Sequence, residues 1–346
     1  MNHVVLIKYP KLVIFLCLLT CFPHINSEKS KLVQIEEACR EYFNTAYTHN
    51  YAKYLQFYSK HDTPSDSTTF DKWCKILSNL KIVVDGVEKK SYNSTSYYRV
   101  LVSAYTKDGK QKVMERIVYF ADENGKIVIV NWKFFTKDWK LFRSKYFNIY
   151  SRQIVSDSMI TDIDNFYEDV TQELGVQHER IDYYLCKDKE EAGLLQGKLS
   201  SAGGTCFPGK TKTIIAPALS YHEIVHAITY AIIDVSMDFL VEGVATYYTF
   251  IWEPQKLDSI IDELRLKNQL VPLDTLMWKF RSIPEDIAYF EAASFVKFLI
   301  TNYGIKSFVA LYKGAKSWDS LVAALHEIYG KALNEINDEW LLWLTK

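Results

Sequence analysis

The sequence predicts an α+β chain built in two parts, and three observations predict it. Apolar residues recur at three- and four-residue steps from Leu32 to Ala46, the spacing of one helix face. The period drops to two across residues 81–135, as in strands joined by tight turns. From Ser220 to the end, after short strand-like runs and a Gly-rich loop, helical spacing returns.

The size of the chain agrees. Its 346 residues suffice for two domains at ~100–200 residues each. Hydrophobic residues are 48% and charged residues 24%, so a real core can be buried. The formal net charge of −1 argues against a nucleic-acid binder working by broad electrostatic attraction, which needs a basic face, and leaves room for a local basic patch. The 24 Tyr and 8 Trp suit sheets and a groove without identifying a ligand.

The N-terminus reads as an export leader. Lys8 and Lys11 precede the apolar run LVIFLCLLTCF (12–22), which falls short of the ~20 residues a membrane helix needs. Polar HINSEKSK follows, and cleavage after Ser27 would place Ile25 and Ser27 at the −3 and −1 positions. Residues 1–27 are therefore expected to leave, sending the chain to the periplasm, the cell surface or the medium. Cys21 stands where a lipoprotein cysteine would, but Thr20 occupies a position that favours Gly, Ala or Ser, so lipidation is the weaker reading. An uncleaved anchor is the other alternative. No other stretch is long and apolar enough to span a membrane. Beyond the leader remain Cys39, Cys74, Cys186 and Cys206. An even count in an exported chain suggests disulfides, with Cys39–Cys74 and Cys186–Cys206 the simplest pairing; four buried free thiols is the alternative. The absence of a CxxC pair argues against a cysteine zinc or redox site.

Residues 30–59 read as helical, HDTPSDST (61–68) as a loop, and FDKWCKILSNL as a second helix. KIVVDGVEKK, SYYRVLVSAYT, QKVMERIVYF and KIVIVNWKFF read as strands, with KDGK (107–110) and DENGK (122–126) as hairpin turns in which Gly supplies positive φ. Residues 28–136 thus form helices followed by an antiparallel meander. This order of elements resembles the NTF2-like (cystatin-like) domains, which implies a docking or binding accessory.

Residues 137–346 form the second part. TKDWKLFRSK is a charged lead-in, 153–174 a helix, RIDYYLCKD a strand, GKLSSAGGTCFPGK a Gly-rich loop, and TKTIIAPAL a strand ended by Pro217. Then comes SYHEIVHAITY (220–230). With Ser220 as cap and no Pro or Gly inside, it reads as a helix. Positions i and i+4 share a face, so His222 and His226 can hold one metal ion. Glu223 lies one step round, able to take a proton from water without being a ligand. The weak alternative is an amphipathic helix with surface histidines. His326 and Glu327 in LHEIYG lack a second histidine and read as such a surface helix.

A third ligand strengthens the metal reading. After the break DVSMD (234–238), FLVEGVATYYTF would return as an antiparallel helix and bring Glu242 back to the metal. Gly243 and Ala245 would let helices approach closely. HEIVH followed by EGVA resembles the gluzincin metallopeptidases, in particular the peptidase-MA-like domains related to aminopeptidases. The resemblance covers about residues 140–346. It implies a thermolysin/aminopeptidase-like zincin domain, Zn2+ held by His222, His226 and Glu242, Glu223 as general base, and a peptide or protein substrate. It further implies that TIIAP is an edge strand pairing with an extended peptide. YFEAASFVKFL (289–299) resembles the segment carrying a catalytic tyrosine in that group, which makes Tyr289 the donor to the oxyanion; packing at a helix start is its alternative role. Tyr247 and Tyr248 are rivals that read as core.

Three departures bear on detail. Val241 precedes Glu242 where many relatives carry Asn. Thr246 stands where thermolysin-like members place an Asp that supports a ligand histidine. The exopeptidase GxMEN motif is absent. Two non-enzymatic expectations stand beside the peptidase: a zinc-holding scaffold of the same fold, and a small-ligand binder centred on the first domain.

Overall fold

Each Gly or Asn that the sequence places at a turn takes the backbone conformation that ends one element and starts the next. The computed structural model describes residues 23–59, 66–209, 211–233, 236–251 and 254–345. Residues 1–22, with Cys21 and the apolar run of the expected leader, lie outside them, as does most of the 61–68 loop. The chain divides into two units, Met1–Asp138 with Gly193–Ala202, and Trp139–Ala192 with Gly203–Lys346.

In the first unit, α1 (Pro23–Tyr47) buries Ile35, Cys39, Phe43 and Ala46, a stripe at helical spacing. A short α2 (Tyr51–Leu55) starts where the Asn50 side chain accepts the Lys53 N–H, which breaks the single helix expected over 30–59. In α3 (Ser67–Leu77), capped by Asp66, Phe70, Cys74 and Leu77 face inward. Strands β1 (Leu80–Tyr92), β2 (Thr95–Thr106), β3 (Lys112–Glu123) and β4 (Lys126–Val130) form an antiparallel sheet in sequence order. The β1–β2 turn holds Asn93 and Ser94 at φ 48° and 65°, and the β3–β4 turn holds Asn124 and Gly125 at 56° and 87°. Both are two-residue turns whose twist matches the strands they join. Val100 and Phe120, wholly buried, anchor the core between sheet and helices.

The fourth expected strand is too long. It stops at Val130, because the Asn131 side chain accepts the Lys133 N–H and opens α4 (Trp132–Thr136).

The second unit carries a mixed sheet. Its elements are β5 (Lys140–Arg143), β6 (Phe147–Ser151), α5 (Asp157–Leu174), β7 (Ile181–Leu185), the first half of α6 (Lys189–Gln196), β8 (Thr205–Phe207) and β9 (Thr213–Ala216). The strand order is β5-β6-β7-β9-β8, with β6, β7 and β9 parallel and the two outer strands antiparallel. Two expectations are corrected here. The charged lead-in contains β5, and the Gly-rich loop contains β8. The TIIA strand, β9, is therefore interior, and β8 takes the edge position.

The remainder is helical: α7 (Tyr221–Thr229), α8 (Asp238–Thr249), α9 (Pro254–Leu266), α10 (Leu273–Trp278), a 3-10 turn (Phe280–Ser282), α11 (Glu285–Tyr303), α12 (Ile305–Gly314), α13 (Trp318–Tyr329) and α14 (Leu333–Trp343). Gly243 in α8 explains one contact. A Cβ there would lie 2.8 Å from the Ala292 carbonyl oxygen of α11, so only glycine lets these helices meet.

The chain is thus mixed α+β, with one antiparallel and one mixed sheet. Cys39, Cys74, Cys186 and Cys206 are all buried free thiols, so the suggested disulfides are not formed. Burial pushes the Cys39 thiol up to about 12. No helix among the described residues is long and apolar enough to cross a membrane.

Candidate metal centre

The start of α7 is fixed before any of its side chains act. The buried hydroxyl of Tyr183, on β7, donates to the Ala218 carbonyl (2.7 Å) and accepts the Ser220 N–H (2.9 Å). The Ser220 hydroxyl then accepts the Glu223 N–H at 3.3 Å, the cap the sequence suggested. Ile224, Val225 and Ile228 fill the core, which turns His222, Glu223 and His226 to the other side of the helix. Beyond the break, the Ser236 hydroxyl donates to the Tyr312 carbonyl (2.9 Å) and the Met237 N–H to the Ala315 carbonyl (2.9 Å). These bonds seat the beginning of α8, and α8 packs back on α7 and delivers Glu242.

Three donor atoms converge. His222 Nε2 lies 3.0 Å from His226 Nε2 and 3.1 Å from Glu242 Oε2. His226 Nε2 lies 3.3 Å from the same oxygen. Zinc bonds of about 2.0–2.1 Å in a tetrahedron set ligand atoms about 3.3–3.4 Å apart. The triangle is therefore nearly the size of one tetrahedral face. Its chemistry also fits, because one proton cannot satisfy three electron-rich atoms and a cation at their centre can. His226 and Glu242 are both 8% exposed, dry enough for charge to matter. Burial raises the Glu242 carboxyl, but its hydrogen bonds with His222 and His226 outweigh this and hold it well below the usual carboxylate range.

Glu223 is not in the triangle. It is buried beside it, with its carboxylate against the backbone of Gly204. A Cβ at Gly204 would stand 2.7 Å from Glu223 Oε1. Glycine in the loop before β8 thus makes the space that the Glu223 carboxylate occupies. The loop was noticed in the sequence, but this role was not, since it depends on contact between segments far apart in sequence.

Tyr289 arrives at the start of the second turn of α11. Its ring lies parallel to that of His222, with centroids 6.0 Å apart and planes 3° apart, and the Phe280 ring lies nearly parallel to it at 5.5 Å. Burial and then the charge of Glu242 push its hydroxyl up to about 12, against the opposing influence of Arg281. Tyr248 is wholly buried and Tyr247 packs against the same core, as their reading as core residues requires. His326 and Glu327 lie exposed on α13, away from any such triangle.

Sequence reasoning missed Arg281, on the 3-10 turn. It donates from Nη2 to Glu242 Oε1 (3.1 Å), from Nε to Asp238 Oδ2 (2.7 Å) and from Nη1 to the Tyr289 hydroxyl (3.3 Å). Nothing in FRSIPED marks it beforehand. It also missed Tyr230, whose ring stands 6.5 Å from that of His226 at the end of α7. The departure at Thr246 has a visible counterpart: Thr246 Oγ1 and His226 Nδ1 are both buried without a hydrogen-bond partner among the described residues. No protein-family model matches the chain, and no curated protein matches it.

Proposed function

We propose that the chain is an exported zinc-dependent hydrolase of the gluzincin kind, cleaving peptide bonds. The observation that carries this reading is the donor triangle of His222, His226 and Glu242 with the Glu223 carboxylate buried beside it. In this reading the second unit is the peptidase-MA-like domain and the first is an NTF2-like accessory. The order of elements supports both assignments.

His222 Nε2, His226 Nε2 and Glu242 Oε2 would hold the zinc. When bound, zinc supplies a Lewis acid that makes water acidic and polarises a carbonyl. Glu223 takes the proton of the attacking water at its carboxylate and returns it to the departing amine nitrogen. Its burial against Gly204 keeps that carboxylate away from bulk solvent and in one place. The Tyr289 hydroxyl donates to the carbonyl oxygen as negative charge develops there. Its raised pKa keeps the proton on the phenol at neutral pH, as a donor requires.

The test is metal content of the purified chain from residue 28 onward, measured for wild type and Glu242→Ala together. One tightly held zinc per wild-type chain, with loss or marked weakening in the variant, is expected. A folded wild type that takes up no zinc even when zinc is added would end the reading.

One observation favours a second reading, small-ligand binding by the first unit. An open pocket of about 880 Å³ there is lined by Tyr58, Val128 and Phe134, by Lys126, Lys133 and Lys137, and by Asp122 and Glu123, among others. Calorimetric titration with aromatic carboxylates would detect it, and the absence of heat across that class would remove it.

A further inference from the structure

We propose that Arg281 is the positioning residue of this centre, fixing at once which oxygen Glu242 offers to the histidines and which way the Tyr289 hydroxyl can donate. The proposal rests on the zinc reading above and adds a residue that the ligand motif does not contain.

A carboxylate can rotate and exchange its two oxygens, so a glutamate ligand needs something on its other side. Here Glu242 Oε2 faces both imidazoles, and Oε1 accepts from Arg281 Nη2 at 3.1 Å. The guanidinium is itself held. Its Nε bonds Asp238 Oδ2 at 2.7 Å, and Asp238 stands four residues before Glu242 on α8, on the same helix face. Two carboxylates one turn apart therefore grip one planar fork. Rotation of Glu242 would break a charge-assisted bond whose carboxylate end is buried, although the Arg281 side chain itself is 57% exposed.

The third nitrogen reaches Tyr289. A guanidinium has only donors and keeps its protons, so at 3.3 Å Arg281 Nη1 must donate and the phenol oxygen must accept. The phenolic hydrogen is then left to point elsewhere. The rings of Phe280 and His222 both lie parallel to the phenol within 6.0 Å, which restricts how far it can swing. Phe280 and Arg281 are adjacent on the 3-10 turn, so one short segment stacks on the tyrosine and bonds it as well. A lysine keeps the charge, but a single ammonium on a flexible stem cannot serve three acceptors in one plane. Geometry and charge make different predictions for that substitution.

The experiment uses the full chain loaded with zinc. Zinc dissociation constants are measured by competition with a chelator for wild type, Arg281→Met, Arg281→Lys and Tyr289→Phe, with kcat and KM on a peptide substrate read alongside. Loss of outer support for a metal ligand weakens binding by about 10–100-fold. Arg281→Met and Arg281→Lys are both expected to weaken zinc in that range and to lower kcat. Tyr289→Phe is expected to bind zinc within ~2-fold of wild type and to lose kcat alone. Wild-type zinc affinity in Arg281→Met would overturn the proposal and leave the zinc site standing. Wild-type affinity in Arg281→Lys would also overturn it, by showing that charge alone suffices. Should Arg281→Met fail to fold, as judged by circular dichroism, Arg281→Lys decides. If the wild type holds no zinc, the functional reading fails first, and that result is distinct from either of these.

Discussion

The two units bury different chemistry. Among the described residues, the buried polar side chains of the first are hydroxyls: Thr45, Ser59, Ser103 and Thr136. Two of these are satisfied locally, Thr45 by the Tyr42 carbonyl and Thr136 by the Trp132 carbonyl. The second unit buries Glu191, Lys212, Glu223, His226, Glu242 and Glu291. A buried hydroxyl with one bond is nearly neutral for stability, whereas a buried charge is costly unless tightly paired. The second unit thus keeps buried ionisable groups that a fold optimised only for stability would shed, alongside buried hydroxyls of its own such as Thr171 and Ser294. Where charge is buried beside a donor triangle, the proposed metal chemistry supplies a reason for it.

The largest expected effect tests that reason. Glu223→Gln removes a buried charge while keeping shape. Turnover should fall by about 10²–10⁴-fold, the usual contribution of a general base, with zinc retained and thermal stability not lowered. Full hydrolysis by this variant would show that the base lies elsewhere.

Glu291 separates burial from catalysis. It is wholly buried, its carboxylate accepts the Val271 N–H, and burial pushes its pKa from 4.5 to about 7. A folded pKa above the unfolded one means that the native state holds the extra proton. Its stabilising contribution is complete below about pH 4.5 and is lost as pH rises through about 7. Glu291→Gln should therefore match wild type near pH 4.5 and exceed it above pH 8 by up to about 3 kcal/mol, at about 1.4 kcal/mol per pH unit. Urea melts across this range would check it, and parallel pH profiles for the two proteins would reject the raised pKa.

Glycine sharpens the contrast further. Gly243→Ala would drive a methyl into the Ala292 backbone and should destabilise by about 1–3 kcal/mol, despite the helical preference for alanine. Gly86→Ala, in β1, meets nothing within 4 Å and should change the melting free energy by no more than ~1 kcal/mol, in the stabilising direction. Equal losses would mean that the α8–α11 approach is looser than described. The smallest effect belongs to the surface. Glu36→Gln breaks an exposed ion pair with Arg40 at 2.7 Å and should alter stability by less than ~0.5 kcal/mol.

What the sequence made legible follows the same division. His222, Glu223, His226 and Glu242 could be read because each sits at a fixed offset on one of two consecutive helices, and helix geometry turns offsets into faces. The β2–β3 and β3–β4 turns could be read because Gly109 and Gly125 declare positive φ. Arg281 could not, since 39 positions separate it from Glu242 and only tertiary packing joins them. Strands β5 and β8 escaped notice because they are four and three residues long, too short to show a period. The WKFF segment looked like strand by composition, and a single capping asparagine made it a helix. The even cysteine count misled because each thiol is placed by apolar packing rather than by a partner.

The Tyr183 hydroxyl that bridges Ala218 and Ser220 has a consequence in time rather than in space. It ties the entrance of the helix that carries His222 and His226 to a wholly buried ring in the middle of the sheet. The Ser220 amide should then exchange with deuterium only when the sheet itself opens, at the slow end of the protein's amide exchange rates. In Tyr183→Phe the same amide loses its acceptor and should exchange through local fraying. The histidines two and six residues further on would then sample orientations that the native clamp denies them.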